Sequence, residues 1–397
     1  MNCILVKYSE IALKGRNRRL FEERLVSNIK AVISKDTTIK RERGRIRVTL
    51  ENDGDLRPAR EALSRVFGIH LFAEAVMVEN DIEVITQVAI EKFRTLIKGN
   101  TNLKFALVTR RADKDFSYSS QQINVQVGKV LQDEIPGLGV DLDDPDVTLF
   151  IEVREGGTYL YTDKDQTSGP GGLPVGMSGR GLALMSGGID SPVACWIGMK
   201  RGLSMDAVYF HSAPYTGEKA KEKALDLARV LARFKGESMT VYAPSLAEIQ
   251  KQIAQQASEG YWTILFRRSM HRIAERIAQE KHYGLLVTGD SLAQVASQTS
   301  ENLTAVDAVS SMLTIRPLIG YDKFETIQLS KRIGTYEIST RPFEDCCSVF
   351  TPSEPKTKAR LRDVERAESR CDLAGLEAQA FEQMQVFEVT PGEVKKL

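Results

Sequence analysis

The sequence predicts an α/β protein in three units, and three observations carry that prediction. Over residues 1–78 the apolar pattern runs in the order β-α-β-β-α-β, the order of a ferredoxin-like unit. From residue 182 short apolar runs alternate with amphipathic helical stretches, the signature of a doubly wound parallel sheet. Between them, 79–168 reads as a second α/β unit. It ends where residues 167–181 gather six glycines and two prolines, a linker signal. The division is therefore 1–78, 79–168 and 169–397.

The elements follow from side-chain spacing. A strand at 3–8 precedes a helix at 17–34, with Phe21, Leu25, Ile29, Val32 and Ile33 on one stripe. Strands at 37–43 and 45–50 meet at Gly44, and a helix at 57–66 leads into a strand at 71–78. In the second unit a helix at 82–97 buries Ile82, Ile85, Val88, Ala89, Phe93 and Leu96. A strand at 104–109 runs into Arg110, Arg111 and Lys114, and strands follow at 147–153 and 158–162. The third unit reads as strands at 182–185, 206–210, 239–242 and 284–288. Helices alternate with them at 192–201, 217–234, 246–281 and 324–333. The tail after 356 reads as a charged helix.

Composition bounds the class. A chain of 397 residues, 42% hydrophobic and 27% charged, has ample core for two to three domains. No run approaches the ~18 apolar residues of a membrane span, and the first 30 residues lack a signal-peptide core. Five cysteines (Cys3, Cys195, Cys346, Cys347, Cys371), scattered and without a Cys-x-x-Cys pair, argue against a disulfide framework, a zinc ribbon or an iron–sulfur centre. The expectation is a cytoplasmic protein, with no membrane partner and no dedicated metal site. Net charge is +1, yet residues 1–60 carry 15 Lys/Arg against 8 Asp/Glu. A local excess of that kind fits a polyanionic partner or a solvated helix face. The Arg110, Arg111 and Lys114 cluster carries the same two readings, a phosphate contact or a solvated edge.

The most informative segment is Gly-Leu-Ala-Leu-Met-Ser-Gly-Gly-Ile-Asp-Ser, residues 181–191. An apolar strand ends at Met185, and Ser191 followed by Pro192 suits an N-cap and first helical position. The amides of Ser186, Gly187, Gly188 and Ser191 then converge on one point, an anion site with no Cβ at either glycine to hold a phosphate off. No Gly-Lys-Ser/Thr follows, so this is not a Walker-type loop. The pattern Ser-Gly-Gly-x-Asp-Ser instead resembles the PP-loop of ATP pyrophosphatases, which cleave ATP to AMP and pyrophosphate.

Further segments extend the likeness. They are Gly289-Asp290-Ser291-Leu292-Ala293-Gln294-Val295-Ala296-Ser297-Gln298-Thr299, Ile315-Arg316-Pro317-Leu318 with Asp322-Lys323, and Pro342-Phe343-Glu344-Asp345-Cys346-Cys347-Ser348-Val349-Phe350-Thr351-Pro352. With the Gly-Gly-Leu-Pro-Val-Gly stretch and Tyr118-Ser119-Ser120, they resemble the tRNA 4-thiouridine synthetase (tRNA sulfurtransferase, ThiI-type) family along the whole chain. The resemblance implies a ferredoxin-like domain, a THUMP RNA-binding domain and a PP-loop ATP pyrophosphatase domain, in that order. It implies ATP and Mg²⁺ as cofactors, tRNA as substrate and a cysteine desulfurase as sulfur donor, and leaves a homodimer open. The chain ends at Leu397, short of the rhodanese domain some members carry, so the implied form is one loaded with sulfur directly on the PP-loop domain.

Residue roles follow. Replacing the C4 oxygen of uridine needs a better leaving group than oxide, and adenylation of that oxygen supplies one. The loop amides would hold pyrophosphate and Asp190 would position it through Mg²⁺; alternatively Asp190 braces the loop. The resemblance places adenosine contacts at Leu184, Met185, Tyr209, Phe210, Arg267, Gly289 and Gln298. Lys323 is a phosphate or transition-state cation, or a surface lysine. Cys346 matches the cysteine the family uses for sulfur transfer as a persulfide; Cys347 could resolve a disulfide with it, and Cys195 reads as a packing residue. Rival functions are a PP-loop pyrophosphatase acting on another RNA base or a small molecule, a THUMP methyltransferase and a non-catalytic RNA-binding scaffold. The first leaves the basic N-terminal half unused, and the second lacks a methyl-donor glycine motif. A scaffold has no need of Gly187, Gly188, Asp190 and Cys346 together.

Overall fold

In the computed structural model, residues 43, 51–54, 98–101, 344, 345, 347, 348 and 351 apart, the whole chain is described. It divides into two compact units, Met1–Gly172 and Leu173–Leu397.

The first unit is built on one continuous sheet rather than two. Its strands lie in the order Thr37–Glu42, Arg45–Leu50, Asn2–Lys7, Leu71–Val78, Gly157–Thr162, Val147–Arg154, Leu103–Arg111 and Leu138–Val140. Leu71–Val78 joins the halves because a strand has two hydrogen-bonding edges. One edge pairs antiparallel with Asn2–Lys7, and the other with Gly157–Thr162 and Gln166–Ser168. Helices Arg18–Val32 and Arg57–Leu63 bury Leu25, Ile29, Ala59 and Leu63 in the core of the first half. Ile82–Leu96 and Ser120–Glu134 bury Ile85, Phe93, Ile123 and Val127 in that of the second. Ser120–Glu134 was not read from the sequence. Its signal was local: Ser119 accepts from the Gln122 amide while Gln122 caps Ser119 in return.

The predicted linker is held rather than loose. Gly169 and Gly171 donate to His70 O and Ile69 O, and a Cβ on Gly169 would sit 2.4 Å from Ile69 O. On the other side of the division, Leu173 and Gly176 bond to Lys200 O and Gly202 O.

In the second unit five parallel strands lie in the order Thr314–Ile315, Leu285–Val287, Arg180–Leu184, Ser204–Val208 and Met239–Ala243. The helical stretch read at 246–281 is two helices, Ala247–Gln256 and Trp262–Glu280, parted by a short turn at Glu259–Tyr261 that contains Gly260. The tail is not one charged helix. After Leu361–Glu368 and Ala374–Glu382, a hairpin of Gln385–Val389 and Val394–Lys396 adds antiparallel to Met239–Ala243. Lys395 and Lys396 charge the outermost strand, which discourages further pairing. The tail's carboxylates are used: Glu368 holds Arg268 at 2.7 Å and Arg272 at 2.9 Å, and Glu377 holds Arg272 at 2.7 Å. Among the described residues no helix is long and apolar enough to cross a membrane.

His271, on the inner face of Trp262–Glu280, is 1% exposed, and among the described residues neither ring nitrogen has a hydrogen-bond partner. Burial, with the nearby Arg267 adding to it, pushes its pKa down to about 4. In the unfolded chain the same imidazole takes up a proton near 6.5, so the unfolded state binds the extra proton between those values. Its contribution to stability is complete above pH 6.5 and is lost as pH falls toward 4, about 3 kcal/mol in all. Urea unfolding followed by Trp196 and Trp262, both in the second unit, checks this. Between pH 7 and 4.5 the native chain should lose about 2–3 kcal/mol more than His271→Leu.

Candidate active site

Strand Arg180–Leu184 has Ser204–Val208 on one side and Leu285–Val287 on the other, both parallel to it. The chain leaves it in opposite directions, so its C-terminal end is the switch point at which such sheets hold ligands. The Gly-rich loop starts there and leads into helix Asp190–Lys200. That helix opens two residues earlier than its sequence suggests, with Ile189 flanking it, and Ser191 is not the cap. The Ser191 hydroxyl instead accepts from the Ser186 amide at 2.8 Å, and the Ser186 hydroxyl accepts from the Gly188 amide at 3.2 Å. Pro192 is tolerated because amides of the first helical turn have no partner within the helix. Of the amides expected to face an anion, those of Ser186 and Gly188 are thus engaged inside the loop. Ser339 donates to Gly188 O at 3.1 Å and ties the loop from outside.

Asp190 is brought together with Lys323. Lys323 Nζ lies 2.7 Å from Asp190 Oδ1, and Gln294 Nε2 donates to Oδ2 at 2.9 Å. Lys323 opens helix Lys323–Ile333, whose position is set by Asp322: its carboxylate accepts from the Glu325 amide at 2.8 Å. Gln294 was missed. It follows Ala293, which has φ 60, a left-handed conformation costly for a residue with a Cβ. That strain needs the fold to be seen.

Next to this pair Asp290 is 5% exposed and takes hydrogen bonds from four side chains. Arg267 donates at 2.7 and 2.8 Å, Thr288 at 2.8 Å, and Arg316 and Gln298 at 3.2 Å each. Burial pushes the Asp290 pKa up, but Arg267, Thr288 and Arg316 outweigh it, so the carboxylate stays below its usual range. Arg267 and Gln298, expected beside adenosine, are therefore brought together on a buried carboxylate. The carbonyl oxygen of Gln298 is buried with no hydrogen-bond partner among the described residues. Gly289 has a different reason to be glycine: a Cβ there would lie 2.7 Å from Ser191 N, 2.8 Å from Ser191 Cα and 2.9 Å from Asp190 C. The glycine lets one strand end press on the first turn of the helix.

Met185, Tyr209 and Phe210 are buried at the ends of the two central strands, where Met185 N donates to Val208 O and Tyr209 N to Tyr242 O; Leu184 is half-buried. Cys346 is also buried, in an apolar cluster with Phe210, Leu246, Ile249 and Phe266. Its segment is held by its backbone: Gln250 donates to Cys346 O at 2.9 Å, and Lys223 Nζ donates to Arg341 O and Phe343 O at 3.1 Å. Cys347 lies outside the described residues. Cys195 packs inside helix Asp190–Lys200, and burial pushes its thiol up to about 12.

In the first unit Arg110 and Lys114 are exposed, whereas Arg111 is half-buried and donates to Phe116 O at 2.8 Å. Much of the N-terminal positive charge is spent internally. Arg18 and Arg41 meet Glu22, Arg19 meets Glu23, Arg47 meets Glu42, and Arg45 meets the buried Glu152 at 2.5 Å.

Comparison with known proteins agrees with this layout. The family "Thiamine biosynthesis protein (ThiI)" matches residues 176–373, "ThiI ferredoxin-like domain" residues 3–73 and "THUMP domain" residues 79–163. A "Probable tRNA sulfurtransferase" of Coxiella burnetii is 44% identical, covering 97% of this chain and 98% of its own. A protein of the same description from Thermoanaerobacter is 42% identical, covering 93% and 95%. Among solved structures, "a 4-thiouridine synthetase - RNA complex with bound ATP" superposes with a TM-score of 0.90 at 36% identity. It covers 98% of this chain and 100% of that one. A protein from Pyrococcus horikoshii matches with a TM-score of 0.66 at 26% identity, covering 84% and 100%.

The contact at Gly289 is directly testable. Gly289→Ala places a methyl against main-chain atoms that cannot swing aside, so the loop must shift. Nucleotide affinity, read by calorimetric titration, should fall at least about tenfold, a cost of about 1.4 kcal/mol, while circular dichroism stays native.

Proposed function

The chain belongs to the ThiI family of tRNA sulfurtransferases, and from that premise we infer that it is an ATP-dependent enzyme converting uridine in tRNA to 4-thiouridine. The observation that carries the residue assignment is the Lys323–Asp190 pair, 2.7 Å apart, on the first turn of the helix that follows the phosphate loop. ATP would lie over the sheet's switch point with its pyrophosphate on the loop. The loop amides now engaged by the Ser186 and Ser191 hydroxyls would then turn to the phosphate oxygens. The orphaned Gln298 carbonyl is an acceptor for an adenine amino group.

The uridine C4 oxygen attacks the α-phosphate, an O–P bond forms, pyrophosphate leaves, and the N3 proton is released to solvent as the C4–N3 double bond forms. Lys323 is placed to balance negative charge that develops there, a contribution that positioning alone supplies without a proton transfer. Among the described residues no group of three or more His, Cys, Asp or Glu side chains could cage a metal. A magnesium ion would thus be carried by the phosphates of ATP, with the Asp190 carboxylate as its protein ligand, and would supply charge neutralisation. Sulfur arrives from a cysteine desulfurase as a persulfide on Cys346; its terminal sulfur attacks C4, a C–S bond forms and AMP departs. The remaining S–S bond is then cleaved by a second thiol, for which Cys347 is adjacent in sequence. In its apolar seat Cys346 is closed off from a bound base, so sulfur transfer would require Cys346 to leave this cluster and part from Gln250. The THUMP-containing unit holds tRNA, with Arg110 and Lys114 on phosphates and Arg111 bracing its loop. The place of action is the cytoplasm, where tRNA and ATP are found.

Two measurements test this. Cys346→Ser, incubated with tRNA, ATP, Mg²⁺, cysteine and a desulfurase, should release pyrophosphate at close to the native single-turnover rate. Nucleoside mass spectrometry should find no 4-thiouridine. Normal thiolation by the variant would remove Cys346 from the path.

In filter binding, the double variant Arg110→Ala, Lys114→Ala should bind tRNA more weakly, and the slope of log affinity against log salt should flatten by about 0.7–0.9 per lost contact. An unchanged slope returns both residues to ordinary solvated charge. Arg111→Ala should instead lower thermal stability.

A further inference from the structure

A cavity of about 420 Å³ opens beside the Asp190–Lys323 pair and is used by nothing described above. Its wall includes Leu292, Gln294, Ile319, Tyr321 and Lys323. We propose that it receives the target uracil, extruded from the tRNA stack, with Tyr321 as the stacking surface and Gln294 as the group that tells uracil from cytosine. The proposal rests on the tRNA sulfurtransferase reading and specifies where the acceptor base lies.

Four observations support it. The first is position. The cavity is formed by segments that follow Leu285–Val287 and Thr314–Ile315, on one flank of the phosphate loop. Ser204–Val208, whose end carries Tyr209 and Phe210, lies on the other flank. A nucleoside over the second flank and an acceptor in the first would have the α-phosphate between them, leaving the acceptor oxygen free to approach in line with the bond to the departing pyrophosphate. The second is continuity, since Lys323 and Gln294 line the cavity and both bond to Asp190. The third is surface chemistry. Leu292 is 52% exposed, Ile319 41% and Tyr321 37%, an apolar and aromatic lining in an otherwise charged neighbourhood. Enzymes that act on a flipped base hold it by this kind of stacking. The volume suits one small planar ligand and no double helix.

The fourth concerns specificity. Gln294 donates one of its two Nε2 hydrogens to Asp190, which fixes the orientation of the amide and so the position of its carbonyl, the side chain's one acceptor. Uracil offers N3–H to such an acceptor. Cytosine presents a bare N3 lone pair, and the two would repel.

Tyr321→Ala and Tyr321→Phe test the placement, and the fold does not depend on the ring: the Tyr321 main chain is held by Leu318 O and by the Ser291 hydroxyl. The expected result for Tyr321→Ala is unchanged ATP affinity by calorimetry and unchanged tRNA affinity by filter binding. Single-turnover, tRNA-dependent pyrophosphate release should fall at least about tenfold. Tyr321→Phe should restore most of it, because stacking needs the ring and not the hydroxyl. A tRNA carrying a fluorescent pyrimidine at the target position should be quenched on binding the native protein and Tyr321→Phe, but not Tyr321→Ala. Loss of ATP affinity in Tyr321→Ala would make the cavity an adenine site and overturn the proposal, as would native pyrophosphate release or native quenching. If the native protein made no 4-thiouridine, the functional reading would fail instead.

Discussion

The site is organised around one buried carboxylate. Asp290 sits at the C-terminal end of an inner strand, and a charge at that depth costs several kcal/mol unless cations and hydroxyls surround it. It therefore draws Arg267 from helix Trp262–Glu280, Arg316 from just beyond Thr314–Ile315 and Gln298 from the loop between. Those contacts fix the strand end, and with it Gly289, which presses on the main chain of Asp190 and Ser191. The Gly-rich loop is thus shaped by its own hydroxyls and by a neighbouring strand whose position a salt-bridge network determines. Removing one partner of such a network leaves the others buried and unpaired, at a cost of about 3–5 kcal/mol.

The same physics separates bracing residues from reacting ones. Arg267, Arg268 and Arg272 all lie on one helix, yet each is committed to an internal carboxylate. Lys323 is different. It is 45% exposed, pairs with a half-exposed Asp190 and borders an open cavity, so a phosphate can compete for it. In the first unit the positive excess divides the same way. Arg45 is locked on Glu152 in the interior, while Arg110 and Lys114 face solvent.

The residues we assign to adenylation and to sulfur delivery are held in different ways. Asp190 and Lys323 are attached to the ends of helices that pack on the sheet. Cys346 belongs to a segment in which Gln250 and Lys223 donate to carbonyl oxygens and the Arg341 side chain pairs with Asp226.

By itself the sequence determined the strand–loop–helix at 181–200, the parallel sheet of the second unit and the β-α-β-β-α-β pattern of residues 1–78. Each rests on neighbours in the chain: apolar spacing and glycines at a turn. Local pattern also named Asp190, and the family resemblance named Lys323, Arg267, Gln298 and Cys346. What it could not say was which of them face a ligand, because burial and pairing depend on residues far away in sequence. Only the tertiary structure decided that Leu71–Val78 fuses two expected units through its second edge and that the tail hairpin closes the sheet. Tertiary contacts alone turned Arg267 and Gln298 onto Asp290 and set Gln294 against Asp190. Hydrogen bonds across 104 positions, such as Gln294 to Asp190, leave no periodicity to read.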